Sequence, residues 1–147
     1  MTINSRVKGK VFELKIAKVW MRLFGGEVDR SGFASKKLDD MGVDLTDTDP
    51  FYIQCKAVER TLNYHKILER MPHDKNYCVV VHKRNYQPIQ AALFLEDYTE
   101  LLSKLHRSEV PPHQMTKKVR EGCPIVAWLP FEELLNIIVK LRKKGIL

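Results

Sequence analysis

The sequence predicts a single mixed α/β domain, and three observations carry that expectation. A long stretch near the start has helical periodicity. Short alternating or valine-rich runs follow, punctuated by Gly, Pro and Asp. Near the end, two apolar strand-like runs pass directly into Leu-rich helical stretches, "PIQAALFLEDYTELL" and "CPIVAWLPFEELLNII". A chain of 147 residues suits one domain with its own core, here residues 1–147.

The elements follow in order. Lys8 to Phe24 reads as a helix with an apolar stripe of Phe12, Ile16, Val19 and Leu23, widened by Val11 and Trp20. Lys15, Lys18 and Arg22 fall opposite, and Gly25-Gly26 ends the element. "GEVDRSGFASKK" reads as a short strand and a loop, "MGVDL" as a second strand, and "DTDP" as a turn. "FYIQCKAV" is a third strand, residues 61–70 a helix, and "NYCVVVHK" a buried strand. The two strand-helix units follow, separated by a polar, basic, Pro-broken loop over residues 106–122. Two similar units are too few for a solenoid.

Composition narrows function. The net charge is +7 and the pI about 9.4, which favours a polyanionic partner. Residues 1–37 hold nine Lys/Arg against three acids, a net of +6; residues 38–49 hold five Asp and no base, a net of −5. Residues 101–147 hold nine Lys/Arg against four Glu, a net of +5. Basic flanks around an acidic centre suit broad phosphate binding with a local divalent cation. Three widely spaced cysteines, Cys55, Cys78 and Cys123, indicate neither a disulfide framework nor a zinc site. No apolar run is long enough for a bilayer, and the first residues lack a signal-peptide core. A cytoplasmic location is therefore expected, in a prokaryote or a virus-infected cell, with no membrane partner.

The third strand concentrates the chemistry. Side chains alternate faces, so Phe51, Ile53, Cys55 and Ala57 share an apolar face while Tyr52, Gln54 and Lys56 share the other. If the Asp47–Pro50 turn returns the chain antiparallel, Asp44 sits next to Gln54. Glu13, at the edge of the helical stripe, approaches from the side. Two carboxylates, an amide and an ammonium then converge, a set that suits phosphodiester hydrolysis with Mg²⁺.

The pattern Asp44, nine residues, Gln54, one residue, Lys56, with Glu13 upstream, resembles the PD-(D/E)XK nuclease motif. "SRVKGKVFELKIAKVW" followed by "DRSGFASKK" is similar to the archaeal and phage Holliday-junction resolvases of that superfamily. The resemblance spans roughly residues 5–60. It implies a restriction-endonuclease-like fold, a mixed central sheet flanked by helices, and a structure-specific DNA endonuclease using Mg²⁺ or Mn²⁺. It implies metal ligation by Glu13, Asp44 and the Gln54 carbonyl oxygen. Lys56 would orient water or steady the transition state, and Ser31 would touch metal-bound water or the scissile phosphate. Arg6, Lys8, Lys10, Arg30, Lys36 and Lys37 would contact phosphates, and Lys117, Lys118 and Arg120 of the basic loop would add to them. Symmetric cleavage of a four-way junction implies a homodimer. Two departures stand out: Val43 occupies the place of the motif's proline, and Gln54 that of its second acid. Some branches of the superfamily resemble this with QxK. The alternatives are a restriction or repair nuclease and a non-catalytic DNA-binding module.

Plainer readings accompany each residue. Lys56 is also what an edge strand uses against aggregation. Glu13 also suits a solvated helix face. Asp39, Asp40, Asp47 and Asp49 suit turns, with Asp40 or Asp47 the first choice to replace the missing acid. The five histidines lack metal-ligand spacing and read as surface or satisfied core, although His82 could meet phosphate. Lys83 and Arg84 read as a solvated strand end, and the final "LRKKG" as a helix-dipole complement. Tyr52 could pack or touch substrate.

Overall fold

In a computed structural model, the structure describes residues 4–105, 113–116 and 124–147. Helix α1 (Ser5–Phe24) starts three residues before the periodicity predicts, because the Asn4 side chain accepts the Arg6 N–H at 2.9 Å and caps the first turn. It stops at Gly25, whose φ of +73° glycine adopts without strain. Its buried face is Phe12, Ile16, Ala17 and Trp20. This corrects the expected stripe: Val11 is 60% exposed and Leu23 also faces out. Trp20 anchors the packed face edge-on against Phe24 and Phe51.

The segment after α1 differs most from expectation. Two short helices, α2 (Ser31–Ala34) and α3 (Lys36–Asp40), replace the loop, and Ser35 caps α3 by accepting the Leu38 N–H. "MGVDL" forms no strand; Arg30 and Leu45 make an isolated antiparallel bridge. The reason lies in where its backbone groups go. The Val43 N–H donates to Leu38 O, and Asp44 O accepts the Ser31 N–H at 2.7 Å. Only the Asp44 N–H, at 2.8 Å from Ile53 O, reaches the neighbouring strand.

That strand is β1 (Phe51–Lys56). It runs parallel to β2 (Tyr77–His82), and the crossover carries α4 (Tyr64–Arg70). β2 pairs antiparallel with β3 (Gln90–Phe94), which leads into α5 (Leu95–Leu105). β5 (Val126–Pro130) leads into α6 (Phe131–Lys143). A two-residue strand, β4 (Gln114–Met115), pairs with β5 inside the stretch expected to be loop. The five-stranded mixed sheet has the order β1-β2-β3-β5-β4. The two similar strand-helix units lie antiparallel, Ala92 opposite Trp128, and exchange reciprocal bonds at their junctions. Leu95 N–H donates to Ile125 O at 2.8 Å and Phe131 N–H to Ile89 O at 2.9 Å.

Helices cover both faces. Phe51, Ile53, Cys55, Val79, Val81, Ala91 and Leu93 pack against α1, α5 and α6 in the larger core. Val80, Cys78 and Ala92 pack with Leu68, Met71 and Val43 in the smaller one on the α4 side. The chain is thus α/β, with a mixed central sheet between helices. Among the described residues no helix is long and apolar enough to cross a membrane.

Candidate active site

β1 is an edge strand, and its outer edge would expose unpaired backbone groups. Asp44 occupies that edge in two ways. Its N–H donates to Ile53 O at 2.8 Å, and its Oδ2 accepts the Cys55 N–H at 2.7 Å. The carboxylate is thereby fixed between two residues of β1, flanking Gln54. Gly42, at φ +77°, lets the chain pass close beside the same side chain: a Cβ there would lie 3.5 Å from Gln54 Oε1. The predicted neighbourhood of Asp44 and Gln54 therefore exists, made by a bent segment rather than by a strand.

The alternation along β1 is as expected. Phe51, Ile53 and Cys55 are buried, while Tyr52, Gln54 and Lys56 are half-buried on the opposite face. Lys56 lies close enough for its charge to favour Asp44 ionisation. Burial nevertheless dominates and raises the Asp44 pKa from 3.8 to about 6; the Cys55 N–H opposes this, while the charges of Glu13 and Asp39 add to it. The Cys55 thiol, fully enclosed, is pushed upward by burial and then by Asp44 and Glu13. The charges of both carboxylates thus reach Cys55 of β1, Glu13 from α1 and Asp44 from the strand edge.

Glu13 is already paired. Its Oε2 accepts from Arg30 Nε at 2.7 Å, with both side chains about a fifth to a quarter exposed at 20% and 24%. Arg30 is held over the acidic site by this bond, so its expected phosphate contact would require sharing with Glu13. Ser31 does not reach the cleft. It is fully buried and its hydroxyl donates to Val43 O, which corrects the expected contact with water or phosphate. Ser31 positions instead: its N–H and O–H hold the two carbonyls, of Val43 and Asp44, that set the Asp44 backbone.

A further acid whose charge reaches Asp44 is Asp39, rather than the Asp40 or Asp47 expected. Asp39 is on α3 and its charge reaches Asp44, whereas Asp47 lines a separate hollow with Asp49 and Arg142. Sequence spacing does not show this, because α3 is a five-residue helix too short to carry a periodic signal. Among the described residues no three His, Cys, Asp or Glu side chains converge as a ready metal cluster. The oxygen set available here is two carboxylates and one amide, which suits a hard cation completed by water and phosphate oxygens. Asp44 gives the test of fit: burial first, and then the charges of Glu13 and Asp39, disfavour its ionised form more than the Cys55 N–H and Lys56 favour it, so it is short of compensating positive charge.

Of the expected phosphate contacts, Arg6, Lys10, Lys36 and Lys37 are exposed on α1 and α3. Lys8 is engaged with Glu59 at 3.4 Å and Asn85 Oδ1 at 3.3 Å. Lys117, Lys118 and Arg120 lie outside the described residues. Tyr52 donates to Asp74 Oδ2 at 2.6 Å, away from the acidic site. His82 is satisfied core: Nε2–H donates to Val58 O at 2.8 Å, so Nδ1 accepts the Tyr64 O–H at 2.9 Å. Burial, first, lowers its pKa. Arg142 stacks on the Phe24 ring at 4.8 Å and donates to Asp49 O, so the final basic run braces the fold as well as complementing α6.

Comparison with known proteins returns no relative: no family model, no curated protein and no solved structure matches the chain.

Proposed function

We propose that the chain is a divalent-metal-dependent DNA endonuclease with restriction-endonuclease-like architecture, acting on branched DNA such as a four-way junction. One observation carries the reading: Glu13, Asp44, Gln54 and Lys56, assembled from a helix, a bent segment and one strand, surround one edge of β1, with Asp44 short of positive charge. Glu13, Asp44 and Gln54 Oε1 would hold Mg²⁺ or Mn²⁺, which when bound polarises a phosphoryl oxygen and acidifies water. Lys56 sets its ammonium against the phosphate and offsets the negative charge that builds as the attacking oxygen joins phosphorus and the leaving oxygen departs. Arg6, Lys10, Lys36 and Lys37 give backbone contacts, which supply affinity without sequence readout. The apolar row Val7, Val11 and Leu14, outward on α1, supports self-association into the homodimer that paired cuts require.

A second reading is a DNA-binding module without catalysis. Gln54 in place of an acid, and the Arg30 bond to Glu13, favour it. One gel separates the two. A labelled four-way junction and a linear duplex with the same arms are incubated with the protein and with Asp44→Ala, in Mg²⁺ and in Mn²⁺. Paired symmetric nicks in the junction, absent with the variant, are expected. Tight binding with no cut in either metal would leave the binding module; cuts that persist in the variant would remove Asp44 from the mechanism.

A further inference from the structure

A second concavity opens on the same face of the sheet as Lys56. The register puts His82 of β2 directly beside Lys56, and Gln90 of β3 beside His82. Here the sheet forms the floor of a cavity of about 440 Å³, walled by Tyr64, Arg84, Thr116 and Trp128. That volume is in the ~300–1,000 Å³ range of small-ligand sites. The floor begins at His82, one strand spacing or about 5 Å from Lys56, and continues to Gln90, two spacings or about 10 Å away.

Three features of this cavity point to a nucleotide. The first is aromatic. Trp128 is half-buried and Tyr64 is fixed by its bond to His82. Tyr86, at the tip of the β2–β3 hairpin, is wholly exposed and lies outside the cavity lining. A base has two apolar faces and stacks on such rings whatever its identity. The second is cationic. Arg84 Nε is buried, and among the described residues it finds no acceptor, while its Nη2 makes only a long 3.5 Å bond to Thr61 Oγ1. A guanidinium with a free donor suits a phosphate oxygen or a base carbonyl. The third is amide chemistry: Gln87 and Gln90 offer paired donors and acceptors for the edge of a base.

The hairpin is also tied to the basic start of the chain. Asn85 N–H donates to Glu59 Oε1 at 2.7 Å, and Lys8 Nζ bridges Glu59 and Asn85 Oδ1. Lys83 Nζ braces the turn through Arg84 O and Gln87 O at 2.9 and 3.0 Å. The cavity wall, the α1 amino terminus and Lys56 thus belong to one connected surface.

We infer that this cavity receives an unpaired nucleotide of the DNA strand that crosses Lys56, so that the protein reads a break in base pairing next to its candidate active site. The inference rests on the proposed nuclease reading for the placement of DNA at Lys56, and it adds the feature of the substrate that is recognised.

The two tryptophans make the test direct. Trp20 is 2% exposed within the larger core, whereas Trp128 lines the cavity, so only Trp128 emission responds to a stacked base. The full chain is titrated in EDTA, where no cleavage is needed, with a gapped duplex, with a blunt duplex of equal length, and with free dAMP. Quenching by the gapped duplex alone is expected, with affinity for it about ten-fold above the blunt duplex. Trp128→Leu and Arg84→Ala should each remove most of that preference and leave blunt-duplex binding in place. Equal binding of both DNAs without quenching, with blunt-duplex affinity intact, would overturn the nucleotide cavity and leave the nuclease reading standing. Quenching by dAMP at the same affinity would make it a free-nucleotide site and overturn the strand reading. No binding of either DNA would overturn both.

Discussion

Replacing Asp44 by Asn should stabilise the metal-free protein at pH 8 while removing the proposed cleavage. The carboxyl is partly buried, beside Glu13 and Asp39, and its pKa rises from 3.8 to about 6. At about 1.36 kcal/mol per pH unit this corresponds to roughly 3 kcal/mol against ionisation in the fold. Residual solvent contact reduces the usable figure to about 2 kcal/mol. Because the folded pKa lies above the unfolded one, the fold is favoured by the protonated acid below about pH 4, and that contribution is lost as pH rises through about 6. An asparagine oxygen still accepts the Cys55 N–H and carries no charge, so the variant escapes the loss. Urea unfolding in EDTA should show Asp44→Asn more stable by about 2 kcal/mol at pH 8, a Tm gain of roughly 6 °C, shrinking several-fold by about pH 4. Millimolar Mg²⁺ or Mn²⁺ should then stabilise the wild type and not the variant. A variant no more stable than wild type at pH 8 would refute the account of Asp44 as a carboxylate short of positive charge.

Three further outcomes are expected. Gln54→Glu should lower metal-free stability at pH 8 by about 1 kcal/mol through repulsion with Asp44, and should lower the Mn²⁺ concentration needed for half-maximal stabilisation; an unchanged requirement would exclude residue 54 as a ligand. Tyr64→Phe removes the donor to His82 Nδ1, so NMR titration should show a higher His82 pKa than in the wild type, and urea unfolding at neutral pH a loss of about 1 kcal/mol; an unmoved pKa would count against the assigned tautomer. Leu93→Ala, fully buried in the middle of β3, should cost about 2–5 kcal/mol in urea unfolding, and a smaller loss would mean that the larger core closes around the gap.

The parts of this fold legible in the sequence are those whose stabilisation is local. The strand alternation from Phe51 to Lys56 and the two strand-helix units rest on patterns within a few residues. So does the turn of chain direction after Asp44, which needs only Asp and Pro. The segment from Arg30 to Leu45 was not legible as built. Its backbone bonds go to α3, to Asp44 and to β1, partners that periodicity cannot see. The face of α1 was misjudged for a related reason: Trp20 outweighs Val11 and Leu23, and only packing against Phe51 shows it. At the candidate site, Glu13, Asp44, Gln54 and Lys56 were found from spacing and strand phase. Asp39 and the burial of Ser31 were not, since both follow from two short helices that the sequence did not announce.

Gln54 has a physical reading of its own beside Asp44. Asp44 is held at the strand edge by its own backbone and by the Cys55 N–H, so it cannot swing away from Glu13 or Asp39. A carboxylate at position 54 would stand beside the half-buried Asp44, with Lys56 the nearby cation on β1 and Arg30 already spent on Glu13. Like charges that close cannot all ionise without a compensating cation. An amide keeps an oxygen toward the site and adds no charge, at the cost of weaker attraction for Mg²⁺. Under the proposed metal-dependent reading, the glutamine would exchange metal affinity for a fold that stands without metal, and the tie between Arg30 and Glu13 would act in the same direction.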